Sequence, residues 1–237
     1  MTIVAKPTED TLIQTGLKTP KSAAVAGIVF SVLMFTIFGL LQRSIPADPL
    51  EPGKWLATET RAIALALNLI PFAGVAFLWF IGVLRDRLAQ QEDRFFATVF
   101  LGSALLYLVM LFAAAAVIGA VMLLASTTDV SELANSTIFR YARAVAYILN
   151  NVYATKMAAV FMVSTSTVVI HTGIAPRWLA IAGYLLALGL LIGSYYVGWG
   201  FVVLPAWVFV MSVHILIDNL RRHEKPDAAA PGGPVSK

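Results

Sequence analysis

Six stretches of the chain are long and largely apolar, five of them about 20 residues or more and the last the shortest, and short polar segments separate them. They are Ser22 to Leu41, Ala62 to Leu84, Phe95 to Leu124, a part of Ile138 to Ile170, Trp178 to Val197, and Phe201 to Ile217. A bilayer crossing needs about 20 largely apolar residues, because each adds roughly 1.5 Å of helix to a hydrocarbon layer near 30 Å thick. The runs do not alternate between apolar and polar positions as barrel strands do, and unpaired amide groups are costly in lipid, so each run is expected as a helix. The pattern predicts an all-α polytopic membrane protein, a bundle of about six transmembrane helices. A polar tail is expected over 1–21, the transmembrane domain over 22–218 and a disordered tail, rich in Pro, Gly and Ala, over 219–237. The first run is too long for a signal-peptide core and lacks a small-residue cleavage site after it, so it is kept as a span.

The third and fourth elements exceed what one crossing requires. Phe95 to Ser126 would make a helix of roughly 48 Å at about 1.5 Å per residue. Either strong tilt or an outward projection absorbs the surplus, and projection, with Val117 to Leu124 against Ile138 to Leu149, is the expectation. Asn135-Ser136 offers a start for the fourth helix. No internal repeat is visible: Pro71 and Pro205 each interrupt an apolar span, but their flanking residues differ, which disfavours an inverted-repeat transporter.

Composition agrees with the pattern. Of 237 residues, 59% are hydrophobic and 13% charged, about half the charge of an ordinary soluble domain. The lipid bilayer is therefore the expected partner. The net charge of +4 comes from basic residues scattered around the apolar runs, not gathered into a patch that would suit nucleic acid. Cationic loops are retained on the cytoplasmic side, and with six spans most Lys and Arg fall on the side of the two termini; both ends are expected in the cytoplasm of a cell membrane. Trp79, Trp178, Tyr195, Tyr196 and Trp199 fall near the proposed interfaces. Cysteine is absent, which excludes disulfides, thiolate nucleophiles and Cys-ligated metal.

The fourth span carries the chemistry of most interest. Lys156 would cost about 2.5 to 3.5 kcal/mol deep in hydrocarbon and needs a reason, with snorkelling toward the interface as the simplest. Arg143, Tyr147, Asn150, Asn151, Ser164 and Thr167 lie on the same helix. Measured from Lys156, the asparagines fall far around the helix, so these groups are expected to encircle it and bond to neighbouring helices. The competing arrangement is a polar cavity of Asn150, Asn151, Lys156, Ser164 and Thr167, faced by Asn68 beside Pro71 in a kinked second span. His171 and His214 reach similar depths and could flank a haem or bind a metal, although nothing completes such a site; no cofactor is otherwise implied. Gly189 and Gly193 form a G-x-x-x-G that permits close helix approach, within the chain or through self-association. No carboxylate lies centrally in a span, and no hydrolase or nucleotide motif occurs. The expected function is a non-enzymatic accessory, assembly or sensing component. The alternatives are a small-solute facilitator lined by the fourth helix and a haem-bearing redox protein.

Overall fold

The computed structural model describes residues 20–46, 53, 55–88, 94–173, 175–193 and 198–223. Both proposed tails, apart from the helical residues 20–21 and 219–223, lie outside these, as do Asp48, Glu51, Tyr195 and Tyr196. The described residues are helical almost throughout, with no strand. In chain order they form α1 (Pro20–Ser44), the short α2 (Trp55–Thr58), α3 (Thr60–Leu88), α4 (Arg94–Ala125), α5 (Val130–Asn135), α6 (Thr137–Ile148), α7 (Thr155–Thr172), α8 (Arg177–Gly193) and α9 (Val203–His223). A π-helical turn, Leu149–Ala154, joins α6 to α7 without a break. A 3-10 turn, Gly200–Val202, leads into α9.

Among the described residues, five helical stretches are long and apolar enough to cross a membrane: Ser22–Ser44, Thr60–Arg85, Ala97–Ala125, Thr137–Thr172 and Gly200–Arg221. The expected fifth span is shorter, 17 residues in α8, or roughly 25 Å at about 1.5 Å per residue. Pro71 lies inside α3, which remains helical on both sides of it. Pro205 does not break the last span: it falls in the first turn of α9, just after the 3-10 turn, a position where proline is tolerated. α7 ends at Gly173, whose φ of 65° suits a residue without Cβ.

The helices pack in a ring. α1 lies against α3 and α9, α3 meets α4, α4 lies along α6 and α7, and α7 packs on α8, while α8 and α9 touch only lightly. The centre is filled by aromatic rings: Phe77 contacts Phe30, Tyr107 and Phe161, and Phe161 contacts Phe100. Two close approaches set the spacing. A Cβ on Gly27 of α1 would overlap Ser212 Oγ of α9, and one on Gly183 of α8 would overlap Ser166 Oγ of α7. Only the absence of a side chain lets these helix pairs come so near.

The long third and fourth elements have their own packing at one end. Val121 of α4, Leu133 of α5, Phe139 of α6, and Trp55, Leu56 and Ile63 form a cluster distinct from the main core. Asp129 starts α5 by accepting from the backbone N–H of Ser131 and Glu132, and Ser136 starts α6 by accepting from Phe139 N–H. A bond from the Ser131 hydroxyl, with those from the two backbone N–H groups, holds the Asp129 carboxyl below its usual range. The α4–α6 hairpin therefore ends in a capped and locally packed tip.

Candidate functional site

A cavity of about 780 Å³ lies between the main core and this tip. α1, α3 and α4 give it apolar walls, including Ile37, Leu67, Ile70, Leu111 and Ile118. α6 and the π-helical turn give the opposite wall, lined by Arg143, Tyr147, Asn150 and Asn151. Gln42 and Trp199 stand at its edge.

Helical spacing produces the polar wall. Arg143, Tyr147, Asn150 and Asn151 occupy positions i, i+4, i+7 and i+8, a single stripe on a helix face. The π-helical turn then inserts an extra residue and rotates the start of α7 by about 100°, so the stripe stops there. The widened turn is itself satisfied: Thr155 Oγ1 donates to the Asn150 carbonyl at 3.1 Å, five residues back.

Arg143 anchors the wall. It is 5% exposed, donates from Nη2 to the Pro46 carbonyl at 2.8 Å, and stands 5.6 Å above the Trp55 ring. Trp55 in turn packs on Phe139, and a Cβ on Gly53 would lie only 2.5 Å from that ring. The guanidinium thus ties α6 to the segment after α1 and joins the cavity to the tip cluster. Asn151 donates from Nδ2 to the Tyr147 carbonyl at 3.2 Å, leaving its buried Oδ1 without a donor among the described residues. Neither the Tyr147 hydroxyl nor the Asn150 carboxamide makes a hydrogen bond there.

The other residues singled out in the sequence lie elsewhere. Lys156 is half-buried and does not line the cavity, and its ammonium has no ion-pair partner among the described residues. Ser164 is buried with its hydroxyl on the Val160 carbonyl at 3.0 Å. Thr167 donates to the Val163 carbonyl at 3.0 Å and shares a 2.8 Å hydrogen bond with the Tyr184 hydroxyl of α8. Asn68 is exposed outside the cavity, its Nδ2 on the Ala64 carbonyl at 2.8 Å, so it does not face the polar stripe. The fourth span is thus divided, with Asn150 and Asn151 on the cavity and Lys156, Ser164 and Thr167 away from it.

His171 is exposed at the end of α7, and His214 is half-buried in α9. Among the described residues no three His, Asp or Glu side chains are grouped to hold a metal ion. Gly189 is exposed, and a Cβ there would meet nothing within 4 Å, so this glycine is not used to seat a helix of the same chain.

Sequence reasoning named Arg143 and Tyr147 as polar residues of the fourth helix but did not bring them into the candidate cavity. The signal was their spacing to Asn150 and Asn151, concealed by taking helical phase from Lys156 across the inserted residue. The arrangement can bind a molecule through hydrogen bonds at one wall and apolar contact at the others. No family model, curated protein or solved structure matches the chain, and the site is defined by its own residues alone.

Proposed function

We propose that this membrane protein is a non-enzymatic accessory or sensing component, with a cavity at one end of its bundle and no solute pathway through it. The use of the polar groups in α7 carries this reading. The hydroxyls of Ser164, Thr165 and Thr167 bond to carbonyls of their own helix, and Ser166 is wedged against Gly183. A transport pathway would have such groups facing water or solute. Beyond the cavity, Phe77, Phe100 and Phe161 close the centre of the bundle with side chains that are 0% exposed.

The basic residues near the chain ends favour both termini on the cytoplasmic side. With that orientation the cavity and the α4–α6 tip face the opposite side of the membrane. The facilitator reading draws support from Asn150 and Asn151, which do border the void. The two readings differ in flux. Purified protein reconstituted in liposomes is expected to leave glycerol, urea and small-ion permeability at the protein-free level, measured by stopped-flow light scattering and ion-sensitive dyes. A protein-dependent rise for any of these solutes would replace the accessory reading with the facilitator one.

A further inference from the structure

We infer that the cavity beside the π-helical turn binds a bilayer amphiphile: its hydrocarbon chain lies against Ile37, Ile70 and Leu111, and its oxygen-bearing head against Tyr147, Asn150 and Arg143. The walls divide by chemistry. α1, α3 and α4 supply almost only hydrocarbon, whereas α6 and the π-helical turn supply a hydroxyl, two carboxamides and a guanidinium. A wholly polar solute would lose hydration against three apolar walls. A pure hydrocarbon would leave the Tyr147 hydroxyl and the Asn150 carboxamide unsatisfied. An amphiphile meets both demands.

The volume, about 780 Å³, falls within the range of roughly 300 to 1,000 Å³ typical of small-molecule sites. The polar end is built into the fold, because Arg143 is 5% exposed and fixed by the Pro46 carbonyl and the Trp55 ring. The Tyr147 hydroxyl and the Asn150 carboxamide offer donors to the cavity, so the wall suits a head that carries acceptor oxygens, as in a fatty acid or a phospholipid. The helices that enclose it are apolar enough to cross a bilayer, which supplies such molecules laterally. The π-helical turn supports the assignment, since turns of this kind commonly occur at functional sites and this one ends the polar stripe at the cavity. This inference rests on the cavity chemistry and stands whether or not the bundle conducts a solute.

Electron spin resonance on the full chain in phosphatidylcholine vesicles tests it. The probes are spin-labelled stearic acid and spin-labelled phosphatidylcholine. The wild-type protein is expected to immobilise one probe molecule per chain beyond the lipid that coats any membrane protein. Ala115→Trp, which fills the apolar part of the cavity, removes that component. Ala182→Trp, in the separate groove between α8 and α9, leaves it unchanged. The double variant Tyr147→Phe with Asn150→Leu weakens retention roughly five-fold through lost head contacts. Retention of stearic acid alone identifies a single-chain acid as the occupant; retention of both probes identifies a membrane phospholipid. The inference is overturned if no component beyond the coating lipid is found, if Ala115→Trp leaves it intact, or if the double variant binds both probes as wild type does. The double variant decides the matter should Ala115→Trp fail to fold.

Discussion

The two halves of the long fourth span use similar residues in opposite ways. In Thr137–Ile148 and the π-helical turn, polar side chains share one stripe and border a void. In Thr155–Thr172, the serines and threonines are consumed by their own backbone or pressed against a neighbouring helix. Both halves belong to one continuous helical stretch of 36 residues, and 61% of its most apolar window is buried, against 22% for α4. Polarity within a span therefore does not by itself mark a pathway. The surface that neighbouring helices leave uncovered decides whether a polar group is available, and that depends on features outside the span, such as the glycines of α1 and α8.

Five substitutions sharpen this contrast. The largest effect is expected for Arg143→Ala, about 3 kcal/mol of stability, through loss of a charge-assisted hydrogen bond and a cation–π contact. Thermal unfolding in detergent measures it, and an unchanged midpoint would mean the cavity wall does not depend on this anchor. Gly183→Ala comes next at about 2 kcal/mol, because the new methyl group would meet both Ser166 Oγ and the Trp207 ring, the latter at 2.8 Å. Adding Ser166→Ala should recover part of that loss, since Ser166 Oγ is buried without a hydrogen bond among the described residues and its removal alone is expected to be nearly neutral. Absence of any recovery would contradict the packing assigned to α7 and α8.

Smaller effects belong to the periphery. Asp129→Ala should lower the thermal midpoint slightly as α5 loses its cap. Because the folded carboxyl titrates below its usual value, the cap is fully effective above the ordinary aspartate range and is lost as pH falls through the depressed value. The protection of the Ser131 and Glu132 amides, measured against their intrinsic exchange rates at each pH, should therefore fall on acidification in wild type and stay constant in the variant. Asn68→Leu is expected to change stability by less than about 0.5 kcal/mol and to leave lipid retention unaltered, since Asn68 is exposed outside the cavity with its Nδ2 on the Ala64 carbonyl. A large effect on either readout would give Asn68 a place in the site.

The span pattern was legible because hydrophobic length is a direct consequence of bilayer thickness. Ser22 to Leu41 lies within α1, and Ala62 to Leu84 lies within α3. The helix ends extend further because amphipathic ends such as Gln42-Arg43-Ser44 remain helical after hydropathy falls. Asn150 and Asn151 were legible as unusual residues. Their grouping with Arg143 and Tyr147 was not, because the π-helical turn resets the phase within the helix and local sequence gives little sign of it beyond two poor helix formers in succession. Asn68 beside Pro71 suggested an open, polar break, yet its Nδ2 bonds to a carbonyl of its own helix and the side chain stands outside the cavity. The packing of α4 on α6 at the tip was legible in the length of the two elements, but the part that Trp55 takes in it was not, because Trp55 and Phe139 are far apart in sequence and meet only when the long hairpin folds beside α2.

Water accessibility along the fourth span tests the central division most directly, and the absence of natural cysteine makes single introduced thiols unambiguous. In intact proteoliposomes, Tyr147→Cys and Asn150→Cys should react with a membrane-impermeant maleimide, whereas Ser164→Cys and Thr167→Cys should remain unlabelled. Reaction at Ser164→Cys or Thr167→Cys at rates matching Asn150→Cys would show that water continues past the π-helical turn, contradicting a cavity confined to one end.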